Sequence, residues 1–134
     1  MIRRVSILTA VLLGVVACSR TGPAPSPAPT QAPQQAVIVH FDYGRADWAP
    51  FVVFEKELET QIDASGAGDY DGNELAVDGT DGTLYMYGPD ADKLYAVARP
   101  ILRSSVLLKN VVVTLQYGGV DDKNAREKTV PLGS

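Results

Sequence analysis

From Val37 to Tyr43 the chain reads Val-Ile-Val-His-Phe-Asp-Tyr, with its largest apolar side chains at odd positions, and it stops at Gly44. That alternation predicts a first strand with Val37, Val39, Phe41 and Tyr43 on one face and Ile38, His40 and Asp42 on the other. The period then changes. Asp47 is placed to cap a helix, Pro50 falls in its first turn, and Trp48, Phe51, Val52, Glu55, Leu58, Glu59 and Ile62 recur at spacings of three and four. Ser65-Gly66-Ala67-Gly68 ends this helix, because glycine takes the left-handed conformation of a C-terminus at least cost. Glu74 to Asp78 predicts a short strand around Leu75 and Val77, Thr80-Asp81-Gly82 a turn, and Thr83 to Tyr87 the second arm of a hairpin ending at Gly88.

Asp90 then suits the N-cap of a helix from Ala91 to about Arg103, with Leu94, Val97, Ala98, Ile101 and Leu102 as its apolar stripe and Pro100 as a bend. Val111 to Tyr117 predicts a last strand closed by Gly118-Gly119. Asp121 to Lys128 is polar and expected to be mobile, and Thr129 to Leu132 is compatible with a short edge segment. The order strand, helix, strand, strand, helix, strand predicts an α+β domain over residues 36–134. Its expected architecture is the ferredoxin-like split β-α-β fold (βαββαβ): a four-stranded antiparallel sheet with two helices on one face and the first and third strands central.

The first 35 residues follow different rules. Arg3 and Arg4 precede an apolar stretch from Val5 to Ala17 that is too short for a stable membrane span, so residues 1–17 read as a signal peptide. Val15-Val16-Ala17-Cys18 resembles the bacterial lipobox. The resemblance implies that the Cys18 thiol receives a diacylglycerol, that the signal is cut before it, and that the mature protein is held in the cell envelope by several acyl chains. An ordinary secretory signal with a cysteine at its cleavage site is the plainer alternative. Ser19, where related lipoproteins retained in the inner membrane often carry Asp, favours the outer membrane facing the periplasm in a Gram-negative cell. Residues 18–35 hold Pro23, Pro25, Pro27, Pro29 and Pro33, a composition that reads as an extended tether reaching roughly 50 Å. No PxxP there is flanked by the basic residue that recognition sites favour, so a spacer is the better reading.

Charge narrows the partners. The formal charge is −4, and with Arg3 and Arg4 set aside ten basic side chains face sixteen acidic ones, a formal −6. An acidic chain without a basic run argues against nucleic acid. Cys18 is the only cysteine, which excludes an intrachain disulfide, a Cys-rich zinc site and a CxxC centre. Between Lys56 and Lys93 there is no basic residue and ten acids, among them Asp69-Tyr70-Asp71-Gly72-Asn73-Glu74, which opens like an EF-hand loop. That match fails at the sixth position, Glu74 for Gly, and at the twelfth, Thr80 for Glu. Asp69, Asp71, Asn73 and Glu74 are therefore weak metal candidates, read first as a solvated loop.

His40 is the only histidine, so any triad would have to be built around it. With Leu84 and Met86 facing inward, Tyr85 and Tyr87 join His40 and Asp42 on the open side of the sheet, a candidate binding face. Aromatics there stack bases in RNA-recognition domains, yet those domains also carry basic residues; a protein, a peptide or a second copy suits this face better. No nucleophile elbow, P-loop, Rossmann fingerprint or HExxH helix is present, so no catalytic residue is assigned and no cofactor is required.

Gly68 to Glu74, Asp81 to Leu94 with its Tyr87-Gly88-Pro89-Asp90-Ala91-Asp92 block, and Leu115 to Gly118 together resemble a group of small bacterial proteins without an assigned biochemical role. The resemblance implies a shared fold and supplies no active site. Three functions remain open on the sequence. The first is an envelope lipoprotein with a non-catalytic interaction domain that binds an unidentified protein or itself. The second is a carboxylate- or metal-dependent envelope enzyme, and the third an inhibitor or immunity-type protein with an acidic binding surface.

Overall fold

Alternation on the first strand sets up the whole core. In the computed structural model, which describes residues 34–119 and 121–133, strand β1 (Gln35–Asp42) buries Val37, Val39 and Phe41 completely. It is followed by α1 (Ala49–Ser65), β2 (Asp69–Leu75), β3 (Asp81–Gly88), α2 (Ala91–Ser104), β4 (Lys109–Tyr117) and β5 (Arg126–Pro131). All strand pairs are antiparallel and the sheet order is β2-β3-β1-β4-β5. The architecture is thus α+β, two helices and a five-stranded sheet. The signal peptide, Cys18 and nearly all of the proline-rich segment lie outside the described residues.

Leu84 and Met86 of β3, with Val113 and Leu115 of β4, extend the buried face that β1 begins. Both helices pack on it, α1 through Phe51, Phe54, Leu58 and Ile62 and α2 through Ala91, Leu94, Ala98 and Leu102. Phe51 links the two layers, its ring centroid 5.7 Å from that of Phe41 and 5.6 Å from that of Tyr43. At about 25 cal/mol per Å² of apolar surface removed from water, such fully buried aromatic rings are among the largest single contributions to the core.

Five expectations are corrected. The sheet has five strands, since Arg126–Pro131 pairs with β4 where a polar stretch and a short edge at Thr129 were expected. Backbone pairing to an open strand edge needs no apolar alternation, and β5 shows none. Asp69–Leu75 is a strand, not a loop; a bulge between Tyr70 and Gly72, with Gly72 at φ 113°, lets this Asp- and Gly-rich segment follow β3. The hairpin turn consequently lies at residues 76–80, closed by Gly79 N–H donating to the Ala76 carbonyl at 2.8 Å, and Val77 is fully exposed there.

On α1 the buried stripe includes Phe54 and leaves out Val52, which is 58 % exposed. The N-cap position is Trp48, although the Asp47 carboxylate still accepts from the Ala49 N–H at 3.0 Å. Gly66 does end this helix in the left-handed conformation at φ 65°. Asp90 caps α2 by accepting from the Lys93 N–H at 3.0 Å, which holds its carboxyl below the usual range, and the helix runs through Pro100 to Ser104.

Candidate functional site

Because antiparallel partners point to the same side, the β1–β3 register fixes which side chains share the helix-free face. Ile38 lies beside Tyr85, His40 beside Thr83 and Asp42 beside Asp81, while Glu74 of β2 lies beside Thr83. The four residues expected on this face, His40, Asp42, Tyr85 and Tyr87, are therefore brought onto it together. On β4 the matching positions are Val112, Thr114 and Gln116.

Most polar groups on this face are engaged locally. Tyr85 donates its hydroxyl to Glu74 Oε2 at 2.9 Å, and this bond to a carboxylate raises the phenol's pKa above its ordinary value. Tyr87 is raised as well, first by partial burial and then by the negative charge of Asp71. Both phenols are accordingly neutral rings at physiological pH. Asp42 accepts from Asn110 Nδ2 at 2.6 Å, across a β1–β4 irregularity where Asn110 adopts φ 48°. Asparagine is among the few side chains that tolerate this left-handed conformation.

His40 Nδ1 lies 3.3 Å from Thr83 Oγ1 and its Nε2 lies 3.9 Å from Asp81 Oδ2. The residue types Asp81, His40 and Thr83 are those of an activated hydroxyl nucleophile, but the geometry is not. The carboxylate stands beyond hydrogen-bond reach, and the His40 and Asp81 side chains are 54 % and 47 % exposed. Thr83 also lies on a strand paired on both sides, to β1 and to β2. Its backbone N–H groups belong to those ladders and cannot form an oxyanion hole.

The acidic segment behaves as a strand does, sending its side chains both ways. Asp69 and Glu74 lie in register with Tyr87 and Thr83 on the open face, whereas Tyr70 and Asn73 lie in register with the inward Met86 and Leu84. Asn73 is thereby taken from the weak metal set to the opposite side of the sheet. There Glu55 of α1 accepts from Tyr70 Oη at 2.8 Å and from Asn73 Nδ2 at 2.6 Å. Burial and then the Glu55 carboxylate push the Tyr70 phenol well above its usual range. A cleft of about 360 Å³ between Val52, Lys56, Glu59 and Asp71 adjoins this clamp. Among the described residues no three His, Cys, Asp or Glu side chains converge on a point where they could hold a metal ion.

Sequence reasoning passed over Thr83 and Asp81 as members of the face, although alternation on β3 places them with Tyr85 and Tyr87. Asn110 carried no sequence signal, since its role depends on a strand irregularity. Compared with family models, curated proteins and solved structures, the chain finds no match.

Proposed function

We propose that the protein is a lipid-anchored cell-envelope lipoprotein whose folded part is a small, non-catalytic binding domain working through the helix-free face of its sheet. The observation that carries this reading is the grouping of Tyr85, Tyr87, Ile38 and His40 on one sheet surface that neither helix covers. Neutral phenols on paired strands, Tyr85 fixed by its bond to Glu74 and Tyr87 by partial burial, form a contact surface rather than a reactive one. The anchor rests on the lipobox-like Val15-Val16-Ala17-Cys18, and the proline-rich segment after it serves as the tether. Ser19 favours the outer membrane facing the periplasm in a Gram-negative cell. The fold is assigned to the ferredoxin-like group: the β2-β3-β1-β4 order supports this, with β1-α1-β2 stepping over β3, β3-α2-β4 stepping over β1, and β5 as an added edge.

The test is site-specific photo-crosslinking in cells, with a benzophenone side chain at Thr114 on the open face or at Val53 on the outer side of α1. A discrete adduct from Thr114 and none from Val53 is expected, with Cys18→Ser moving the protein out of the membrane fraction. Adducts from Val53 alone would overturn the binding face, and a membrane-bound Cys18→Ser protein would overturn the anchor.

A further inference from the structure

We infer that the partner received by the open face is a cationic polypeptide segment whose arginines stack on Tyr85 and Tyr87; this rests on the reading above and adds the partner's chemistry. The sign of the face is set by the register. Asp69 lies in line with Tyr87, Glu74 with Thr83, Asp81 with Asp42, and Glu127 with Gln116. Among the described residues the one Lys or Arg in register with this face is Lys109, at its margin opposite Asp42. Arg126 and Lys128 are in register with Tyr117 and Leu115 and so belong to the helix side. The carboxylates thus flank a centre made of tyrosine rings and Ile38.

A second copy is a poor occupant, because two such faces would oppose like charges. Anionic lipid and nucleic acid are excluded by the same sign. A free divalent ion lacks a site, since Glu74 is engaged by Tyr85, Asp42 by Asn110, and no three acids converge among the described residues. What remains complementary is a chain carrying guanidinium groups. The Tyr85 hydroxyl is tied to Glu74, which holds the half-buried ring in place; a planar cation stacking on that ring would find its counter-charge in Glu74. Arg126, 4.5 Å from the Tyr117 ring centroid, already makes this contact inside the molecule.

The experiment titrates the full-length lipidated protein, in neutral detergent, into fluorescein-labelled peptides of alternating Arg and Thr, Lys and Thr, or Glu and Thr, read by anisotropy. Saturable binding in the order Arg above Lys, with none for Glu, is expected. Tyr85→Leu with Tyr87→Leu should weaken it about tenfold, within the range of desolvated cation–π contacts. Tyr85→Phe, which keeps the ring, should retain most of the affinity and guards against misfolding of the leucine variant. Glu74→Gln with Asp81→Asn should weaken binding and flatten its salt dependence, whereas Glu57→Gln with Glu59→Gln on α1 should leave it unchanged. Absence of Arg-peptide binding, or equal loss in the α1 variant, overturns the inference. If a Thr114 photo-adduct persists while the Arg peptide fails, the open face stands and only its assigned chemistry falls; loss of both removes the face itself.

Discussion

Tyr70 ties α1 to the sheet through its bond to Glu55, and its ionisation gives that tie a pH dependence with a definite sign. Burial first and the Glu55 carboxylate second raise its pKa in the folded state, so the folded chain keeps the phenolic proton to higher pH than the unfolded chain does. The stabilisation is complete below the unfolded phenol's pKa of about 10 and is lost as pH rises beyond it, because the unfolded state then binds fewer protons. Tyr70→Phe is expected to cost about 1 kcal/mol at pH 7 for the missing hydrogen bond and to flatten the fall in stability between pH 9 and 11. Urea unfolding at both ends of that interval measures it; an unchanged slope would place the alkaline sensitivity elsewhere. A different constraint acts at Gly82. A Cβ built there would meet the Phe41 ring at 2.6 Å, so this glycine, read from sequence as part of a turn, is needed for packing against β1.

Strands β1, β3 and β4 and both helices were legible because each carries an apolar period matched to its own geometry. β2 and β5 were not. Apart from Tyr70, Asp-Tyr-Asp-Gly-Asn-Glu is composed of residues depleted in strands, and it is a strand because the β3 edge offers a ladder and Gly72 absorbs the bulge. Arg-Glu-Lys-Thr-Val-Pro buries no side chain fully, Val130 and five exposed neighbours following the backbone of β4. The open face was legible from parity alone, since His40, Asp42, Tyr85 and Tyr87 needed only the assignment of Leu84 and Met86 inward. Such a strand contributes little to the core, yet it covers an edge that would otherwise recruit other strands. A chain ending at Gly119 is therefore expected to retain its helical circular dichroism, to lose roughly 5–10 °C of melting temperature, and to self-associate through the bared β4 edge. Sedimentation velocity checks this: a truncated chain that stays monomeric would show that β5 is not an edge guard, and one that fails to fold would show that the strand contributes to the core.

On the proposed binding role, charge distribution sets stability and binding in opposition. No basic residue lies between Lys56 and Lys93, so the acids of β2, the hairpin turn and β3 face one another largely uncompensated, several of them within a Debye length of about 8 Å at physiological salt. Like charges held that close disfavour the folded state, and among the described residues neither Glu74 nor Asp81 is buried in the core or paired to a Lys or Arg. Glu74→Gln retains an acceptor for the Tyr85 hydroxyl, and Asp81→Asn removes a charge that lies beside Asp42 and 3.9 Å from His40 while keeping an acceptor for the Thr80 hydroxyl. The double variant is accordingly expected to melt a degree or two higher than the parent at low salt, and to lose the difference as sodium chloride is raised to about 0.5 M. Added salt should likewise stabilise the parent while weakening its attachment to a cationic peptide. Opposite responses of melting temperature and affinity to the same salt series would mark these carboxylates as kept for contact at some expense of stability. A double variant that melts lower than the parent at every salt concentration would instead make Glu74 and Asp81 structural groups of the β2–β3 hairpin.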